Sequence, residues 1–199
     1  MNATKAGLRA AFLSARRAVG RSEHDAEARM LAEHVGALAA GGQTVCAYVP
    51  VDSEPGSLEL VDSLYQQGAR VLLPVARLNA VDAPLPLRWG VYVPGELTDA
   101  PFGLREPAMP WSAPETIADA AALLIPALAV DRAGVRLGRG AGFYDRSLPL
   151  VSPTALLVAV VRDDELVDRL PAEPHDVPMT HALTPRLGLV ALSGSGGRE

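Results

Sequence analysis

Apolar positions along this chain switch repeatedly between the spacing of a helix and that of a strand. Residues 3–18 place Leu8, Ala11, Phe12 and Ala15 on one helical stripe, with Lys5, Arg9, Arg16 and Arg17 as polar interruptions. A second helix is predicted from Ser22, a serine N-cap followed by Glu23 and Asp25. Its stripe is Met30, His34, Ala37 and Leu38, and its stop is Gly41-Gly42. Thr44 to Val49 then reads as a strand closed by Pro50. Ser57 caps a helix carrying Leu58, Leu60, Val61 and Leu64 that ends at Gly68, and Arg70 to Val75 is another short strand. Strand, helix and strand at this spacing form a βαβ unit, which predicts an α/β fold around a parallel sheet. The apolar run 121–130 is predicted as one buried strand, Ala155 to Val161 as another, and residues 180–192 as a last strand pair. Between them, 79–114 is irregular and proline-rich. Its strand candidate, Leu85 to Val93, holds Trp89, either a core plug or a face on which a flat ring stacks.

At 199 residues with 49% hydrophobic side chains, one domain with a sizeable core is expected, spanning 1–192 with a disordered tail at 193–199. The net charge of −5 argues against non-specific nucleic-acid binding. A single Cys46 excludes an internal disulfide and any multi-cysteine metal site, and its apolar neighbours mark it as a small buried hydrophobe. The N-terminus has no apolar leader pattern and no window approaches a membrane span, so a cytoplasmic, monomeric protein free of membrane is expected.

The densest chemistry lies at 131–146. Gly138, Gly140 and Gly142 alternate there, Arg136, Arg139 and Arg146 surround them, and Tyr144-Asp145 closes the run. Glycines let consecutive N–H groups converge on an anion, and a helix starting near Gly142 would turn its positive end to the same spot. The arginines add bidentate donors, and Asp145 is a hard-oxygen ligand of the kind that holds Mg²⁺ beside phosphate. The stretch matches neither G-x-x-x-x-G-K-[ST] nor G-x-G-x-x-G, and a solvated glycine turn is the plainer alternative. In a parallel sheet, ligands gather at the carboxyl ends of strands. Tyr48 to Glu54 and the glycine-rich loop both follow strands, which points to one shared site. Lys5 and Arg9 share a helix face, either solvated or gripping a phosphate. The run Asp163-Asp164-Glu165 reads as a solvated face, and His175-Asp176 as a catalytic pair, a metal site or a capping turn. His24 and His34 read as surface or edge residues. With no G-x-S-x-G, H-E-x-x-H or Cys/His metal spacing, phosphate grips with isolated carboxylates suit phosphoryl transfer, which needs no protein nucleophile.

Arg136-Leu-Gly-Arg-Gly-Ala-Gly-Phe-Tyr-Asp145, preceded by Ile-Pro-Ala-Leu-Ala-Val-Asp131 and followed by Leu-Pro-x-Glu-x-His-Asp176, resembles the 5-formyltetrahydrofolate cyclo-ligase family. Lys5-x-x-x-Arg9, Tyr48-x-Pro-x-x-Ser-Glu54, Gly103-x-x-Glu-Pro107 and Thr184 extend the resemblance over nearly the whole chain. It implies a three-layer α/β/α sandwich around a mostly parallel sheet, and ATP- and Mg²⁺-dependent closure of 5-formyltetrahydrofolate to 5,10-methenyltetrahydrofolate. By the same resemblance Lys5, Arg9 and the run Arg136, Leu137, Gly138, Arg139, Gly140, Ala141, Gly142, Phe143 and Tyr144 would bind ATP. Arg136 and Tyr144 would be catalytic, and Asp145 and Asp176 would hold Mg²⁺. Val49, Glu54 and Phe143 would face the folate. Phe143 stands where the family often has Tyr, Ala141 where it often has Gly or Lys, and Glu165 where many members have Gln. Two rivals from other classes are a non-catalytic anion- or folate-binding module, and a phosphosugar isomerase with Glu54 as its base.

Overall fold

In the computed structural model, residues 4–39, 42–174 and 176–193 are described. Seven strands form the central sheet in the order β12-β11-β9-β6-β1-β2-β3. They are β1 (Thr44–Cys46), β2 (Arg70–Val75), β3 (Arg88–Val91), β6 (Ala122–Pro126), β9 (Leu156–Val160), β11 (His181–Thr184) and β12 (Gly188–Ala191). The inner pairs are parallel, while β3 and β12 close the two edges antiparallel, and β4 (Thr98–Asp99) and β5 (Arg105–Glu106) form a separate antiparallel pair. The parallel sheet inferred from the βαβ spacing is therefore present.

Alternation along the strands divides the core in two. Val45, Val71, Leu73, Leu124 and Val158 face one side, where α2 (Arg21–His34) and α3 (Leu58–Gln66) cover them with Leu31, Leu60 and Leu64. Cys46, Leu72, Leu123, Ile125 and Leu157 face the other side, beneath Trp89, Ile117, Leu148 and Met179. That side is roofed mainly by 3₁₀ turns at Pro114–Asp119 and Leu148–Leu150, so the α/β/α layering is lopsided. α3 begins as expected, its Ser57 hydroxyl accepting the N–H of Glu59 at 3.2 Å. α2 starts earlier than expected, with Gly20 rather than Ser22 at its N-cap. It buries Ala28, Leu31 and Ala32 and passes into a 3₁₀ turn at Val35–Leu38. Of the stop expected at Gly41-Gly42, Gly41 lies outside the described residues, as do His175 and the tail beyond residue 193.

Two departures shape the site. The run 121–130 is not one strand: it leaves the main sheet after Pro126 and resumes as β7 (Ala129–Asp131) in a second, three-stranded sheet with β8 (Arg136–Leu137) and β10 (Leu166–Val167). Asp131, 1% exposed, ties that sheet together. Its carboxylate accepts the N–H groups of Ala133, Val135 and Leu170, each at 2.9 Å. The second lies in the buried face of α1 (Lys5–Ala18), a helix that forms where expected and lays Leu8, Phe12 and Leu13 on Leu128, Ala129 and Leu137 of this small sheet. Ala11 and Ala15 are exposed, whereas Arg16, in step with Leu8 and Phe12, is buried.

Candidate active site

A cavity of about 420 Å³ opens at the carboxyl ends of β1, β2 and β6. One wall is the glycine-rich loop from Gly138 to Tyr144 with Arg136 and Asp145, and the opposite wall is Tyr48 to Glu54. The two segments that sequence reasoning placed at strand ends thus meet across one space.

The loop wall follows from its glycines. Gly140 and Gly142 have φ of +93° and +82°, in the left-handed region that side chains disfavour. Gly142 is the N-cap of the short helix α4 (Phe143–Ser147), so a helix does begin where expected. Ser147 anchors α4 by donating to Phe143 O at 2.8 Å and accepting the N–H of Leu87 at 2.9 Å. Docking of α1 on the small sheet brings Arg9 to the loop, where its Nε donates to Gly138 O at 3.0 Å. Lys5 sits one turn earlier, 3.1 Å from Asp176 and 3.3 Å from Glu173. Arg9 is therefore drawn to the glycine-rich loop and Lys5 to the carboxylates of Glu173 and Asp176, rather than left on a solvated face.

Arg136 is the centre of this wall. Its Nη2 donates to Asp145 at 2.7 Å, Nη1 donates to Pro126 O at 3.3 Å, and the guanidinium lies 5.7 Å from the Tyr144 ring. Burial lowers its pKa, opposed by the charges of Asp145 and Asp176. The Tyr144 hydroxyl is sealed from solvent without a hydrogen-bond partner among the described residues, and burial raises its pKa, so it stays neutral. Ala141, Gly138, Arg139 and Phe143 border the cavity as expected. Leu137 does not. Its side chain is 2% exposed and packs with Leu128 beneath α1, because β8 alternates its residues between cavity and core.

On the facing wall Glu54 accepts the N–H of Val51 at 3.1 Å and pairs with Arg139 at 3.2 Å. Burial raises its pKa, and Arg139 pulls it back down. Val49 lies beside it on the cavity. Asp52, Asp82 and Phe102, the non-glycine residues with positive φ among the described ones, all border this cavity. Backbone strain of this kind costs about 1–3 kcal/mol per residue and collects at ligand clamps. Phe102 is 59% exposed and its ring stands 6.0 Å from that of Phe143, forming an aromatic rim. The Gly103–Pro107 motif holds that rim in place, since buried Glu106 accepts the N–H of Ala76 at 3.0 Å and two bonds from Arg77 at 2.8 and 2.9 Å.

Trp89 is not available to a ligand. At 1% exposure it plugs the core, packed with Leu72, Leu87 and Ile117. Sequence reasoning passed over Phe102, whose only signal was its place between Pro101 and Gly103, and over Arg16, which shares the stripe of Leu8 and Phe12. The acidic run is only partly solvated: Glu165 is 3% exposed and bound to Arg16. His24 and His34 are half-buried edge residues that contact the carbonyls of Glu54 and Pro185 at 3.0 Å. Cys46 is buried, which pushes its thiol pKa up and leaves it inert. Thr184 closes a turn by donating to Asp163 at 2.8 Å.

No group of three or more His, Cys, Asp or Glu side chains suited to a metal occurs among the described residues. Asp145 and Asp176 both act on Arg136, and Asp145 is half exposed at the cavity. Two carboxylates beside the glycine-rich loop fit Mg²⁺, which commonly takes one or two protein carboxylates and completes its shell with other oxygens and water. No helix among the described residues is long and apolar enough to cross a membrane.

A family model described as the 5-formyltetrahydrofolate cyclo-ligase family matches residues 1–185. The 5-formyltetrahydrofolate cyclo-ligase of Mycolicibacterium smegmatis is 59% identical over 189 residues, covering 95% of this chain and 97% of that protein. The Escherichia coli K12 protein of the same name is 31% identical over 147 residues, covering 71% and 78%. Among solved structures, the 5,10-methenyltetrahydrofolate synthetase of Aquifex aeolicus superimposes with a TM-score of 0.74 at 25% identity, covering 98% of this chain and 95% of that one. The synthetase from Mycoplasma pneumoniae shares the fold at a TM-score of 0.66 and 19% identity, covering 88% and 94%. Sequence match, fold and the convergence of the glycine-rich loop on Glu54 agree: this chain belongs to the 5-formyltetrahydrofolate cyclo-ligase family.

Proposed function

We propose that this chain is an enzyme that closes 5-formyltetrahydrofolate to 5,10-methenyltetrahydrofolate at the expense of ATP. The observation that carries this reading is that one cavity is lined both by an anion cradle, Arg136 with Gly138 to Gly142, and by a carboxylate suited to ring N–H donors, Glu54. The triphosphate lies along the glycine-rich loop, where Arg136, Arg9 and Lys5 neutralise it and the backbone N–H groups close around it. The pterin lies against Val49 with its N–H edge on Glu54, and Phe102 and Phe143 cover its flat face. Lacking a hydroxyl, Phe143 contributes ring contact alone. Ala141 retains space and backbone N–H but adds no cation.

In this arrangement the formyl oxygen attacks the γ-phosphorus of ATP and ADP leaves. The folate's 10-nitrogen then attacks the activated formyl carbon and loses its proton. The carbon–oxygen bond breaks, and that oxygen departs in phosphate. Arg136 faces the charge that grows on the transferring group, with the Tyr144 ring packed 5.7 Å from its guanidinium to hold it there. When bound, Mg²⁺ neutralises charge on the phosphate oxygens, and Asp145 and Asp176 are the residues that would hold it. Both walls exclude water from the activated carbon, which hydrolysis would otherwise return to the formyl compound.

The route of the oxygen atom tests this reading. Substrate carrying a heavy-isotope label in the formyl oxygen should pass that label to inorganic phosphate, one atom per turnover. Label released to water instead would sink phosphorylation at the formyl oxygen.

A further inference from the structure

Arg16 plays no part in the chemistry just described, yet it is built into the cavity. Its side chain is 1% exposed and that of its partner Glu165 is 4% exposed. Nε and Nη2 donate to the two oxygens of Glu165 at 2.6 and 2.7 Å, and Nη2 also donates to Ala127 O at 2.6 Å. Glu165 is fixed in turn by the N–H of Arg162 at 2.8 Å. Nη1 makes no hydrogen bond among the described residues, and Arg16 and Ala127 both border the cavity. Arg136 takes the neighbouring carbonyl, that of Pro126. Arginines from α1 and from β8 therefore flank the carboxyl end of the central strand β6, one beside the glycine-rich loop and one beside Glu54 and Tyr48, both of which feel its charge.

A guanidinium nitrogen at the cavity wall with no protein acceptor loses its water when a ligand fills the cavity, which is costly unless the ligand supplies an acceptor. The chemistry of that acceptor follows from its neighbours. On a pterin, the ring N–H and exocyclic amine that suit a carboxylate share an edge with the 4-oxo oxygen, which needs a donor of its own. Arg139 is already committed to Glu54 and Asp52 at 3.2 and 3.6 Å. Glu165 cancels the charge of Arg16, so the position favours a neutral carbonyl over a carboxylate or phosphate.

We propose that Arg16, oriented by Glu165, is a specificity-determining residue that donates from Nη1 to the 4-oxo oxygen of the bound pteridine. The proposal rests on the folate reading of the cavity. A 4-amino ring places a donor against that donor, so the site rejects it, as polar sites reject partners that leave them unpaired.

Equilibrium titration with 5-formyltetrahydrofolate and its 4-amino counterpart tests this. Wild type should prefer the 4-oxo compound by about tenfold or more. Arg16→Ala would strand a buried carboxylate and threaten the fold. The informative variants are instead Arg16→Met combined with Glu165→Leu, which replaces the pair by apolar bulk, and Arg16→Lys, which keeps a charge opposite Glu165. In both, the preference should fall severalfold through loss of 4-oxo affinity, leaving only the part that the ring N–H on Glu54 contributes. A folded variant of either kind that keeps the preference overturns the assignment, as does a wild type that binds both compounds equally. Wild type that binds ATP but neither pteridine overturns the folate reading itself, and this proposal with it.

Discussion

Cys46, Leu72, Leu123 and Leu157 lie opposite one another on β1, β2, β6 and β9, none more than 1% exposed. The cavity above them is made differently. Asp52, Asp82 and Phe102 hold positive φ, Tyr144 keeps a hydroxyl with no partner among the described residues, and the Arg136 and Glu54 side chains are charges largely withdrawn from solvent, 10% and 9% exposed. In the sheet each local preference agrees with the fold, and burial of apolar surface is the return. At the cavity several local preferences are violated together, and a ligand is what would satisfy them. Substitutions in the two regions should therefore fail in different ways.

The largest effect is expected at Arg136. Arg136→Ala should lower kcat by about a hundredfold to a thousandfold while thermal stability changes little, as for removal of one preorganised charge from a transition state. Single-turnover ADP formation and a melting curve measure the two together. Leu123→Ala is the mirror image: a loss of about 3 kcal/mol from the cavity it leaves, by denaturant titration, with both KM values unchanged. A Leu123 variant that lost substrate affinity without losing stability would break the contrast. Lys5→Ala and Arg9→Ala should each raise KM for ATP by about tenfold and leave that for the folate, since α1 meets the glycine-rich loop. The opposite split would put α1 on the wrong substrate.

The smallest effect is one of pH. Burial raises the Glu54 pKa in the folded chain, against the pull of Arg139. The folded state then holds that proton more tightly than the unfolded one. Glu54 thus favours folding below its unfolded pKa, and this contribution is lost as pH climbs through the raised value. Glu54→Gln should gain on wild type across that window, by about 2 °C in Tm or less. Wild-type affinity for the folate should fall as pH drops through the same window, because only the ionised carboxylate accepts both ring donors. A pH-independent difference in Tm would remove the burial argument.

The βαβ unit, the sheet and its helices were legible because their signals are periodic and local. Ser57 and Gly68 bracket α3 in the sequence as they do in the structure. The glycine-rich loop and Glu54 were legible by type and by position after strands. What escaped was set by tertiary packing. The run 121–130 is apolar throughout, so nothing in it marks the exit from the sheet at Pro126 except that proline. Leu137 and Arg136 are neighbours with opposite fates, decided by the face of β8 that meets α1. Trp89 and Phe102 are both aromatic residues in an irregular stretch, and only the β2–β3 pairing sends the first to the core. Arg16 and Glu165 lie in a polar run and an acidic run, and burial becomes visible only when α1 and the end of β9 are brought together.

The central claim is that the two walls of one cavity act on two substrates in one reaction. Mixing the protein with 5-formyltetrahydrofolate, ATP and Mg²⁺, and following methenyl absorbance and ADP together, tests it most directly. The account predicts that both products appear in equal amounts and that neither forms when folate or metal is withheld. ADP formed without methenyl product, or silence in both channels from folded protein, would contradict it.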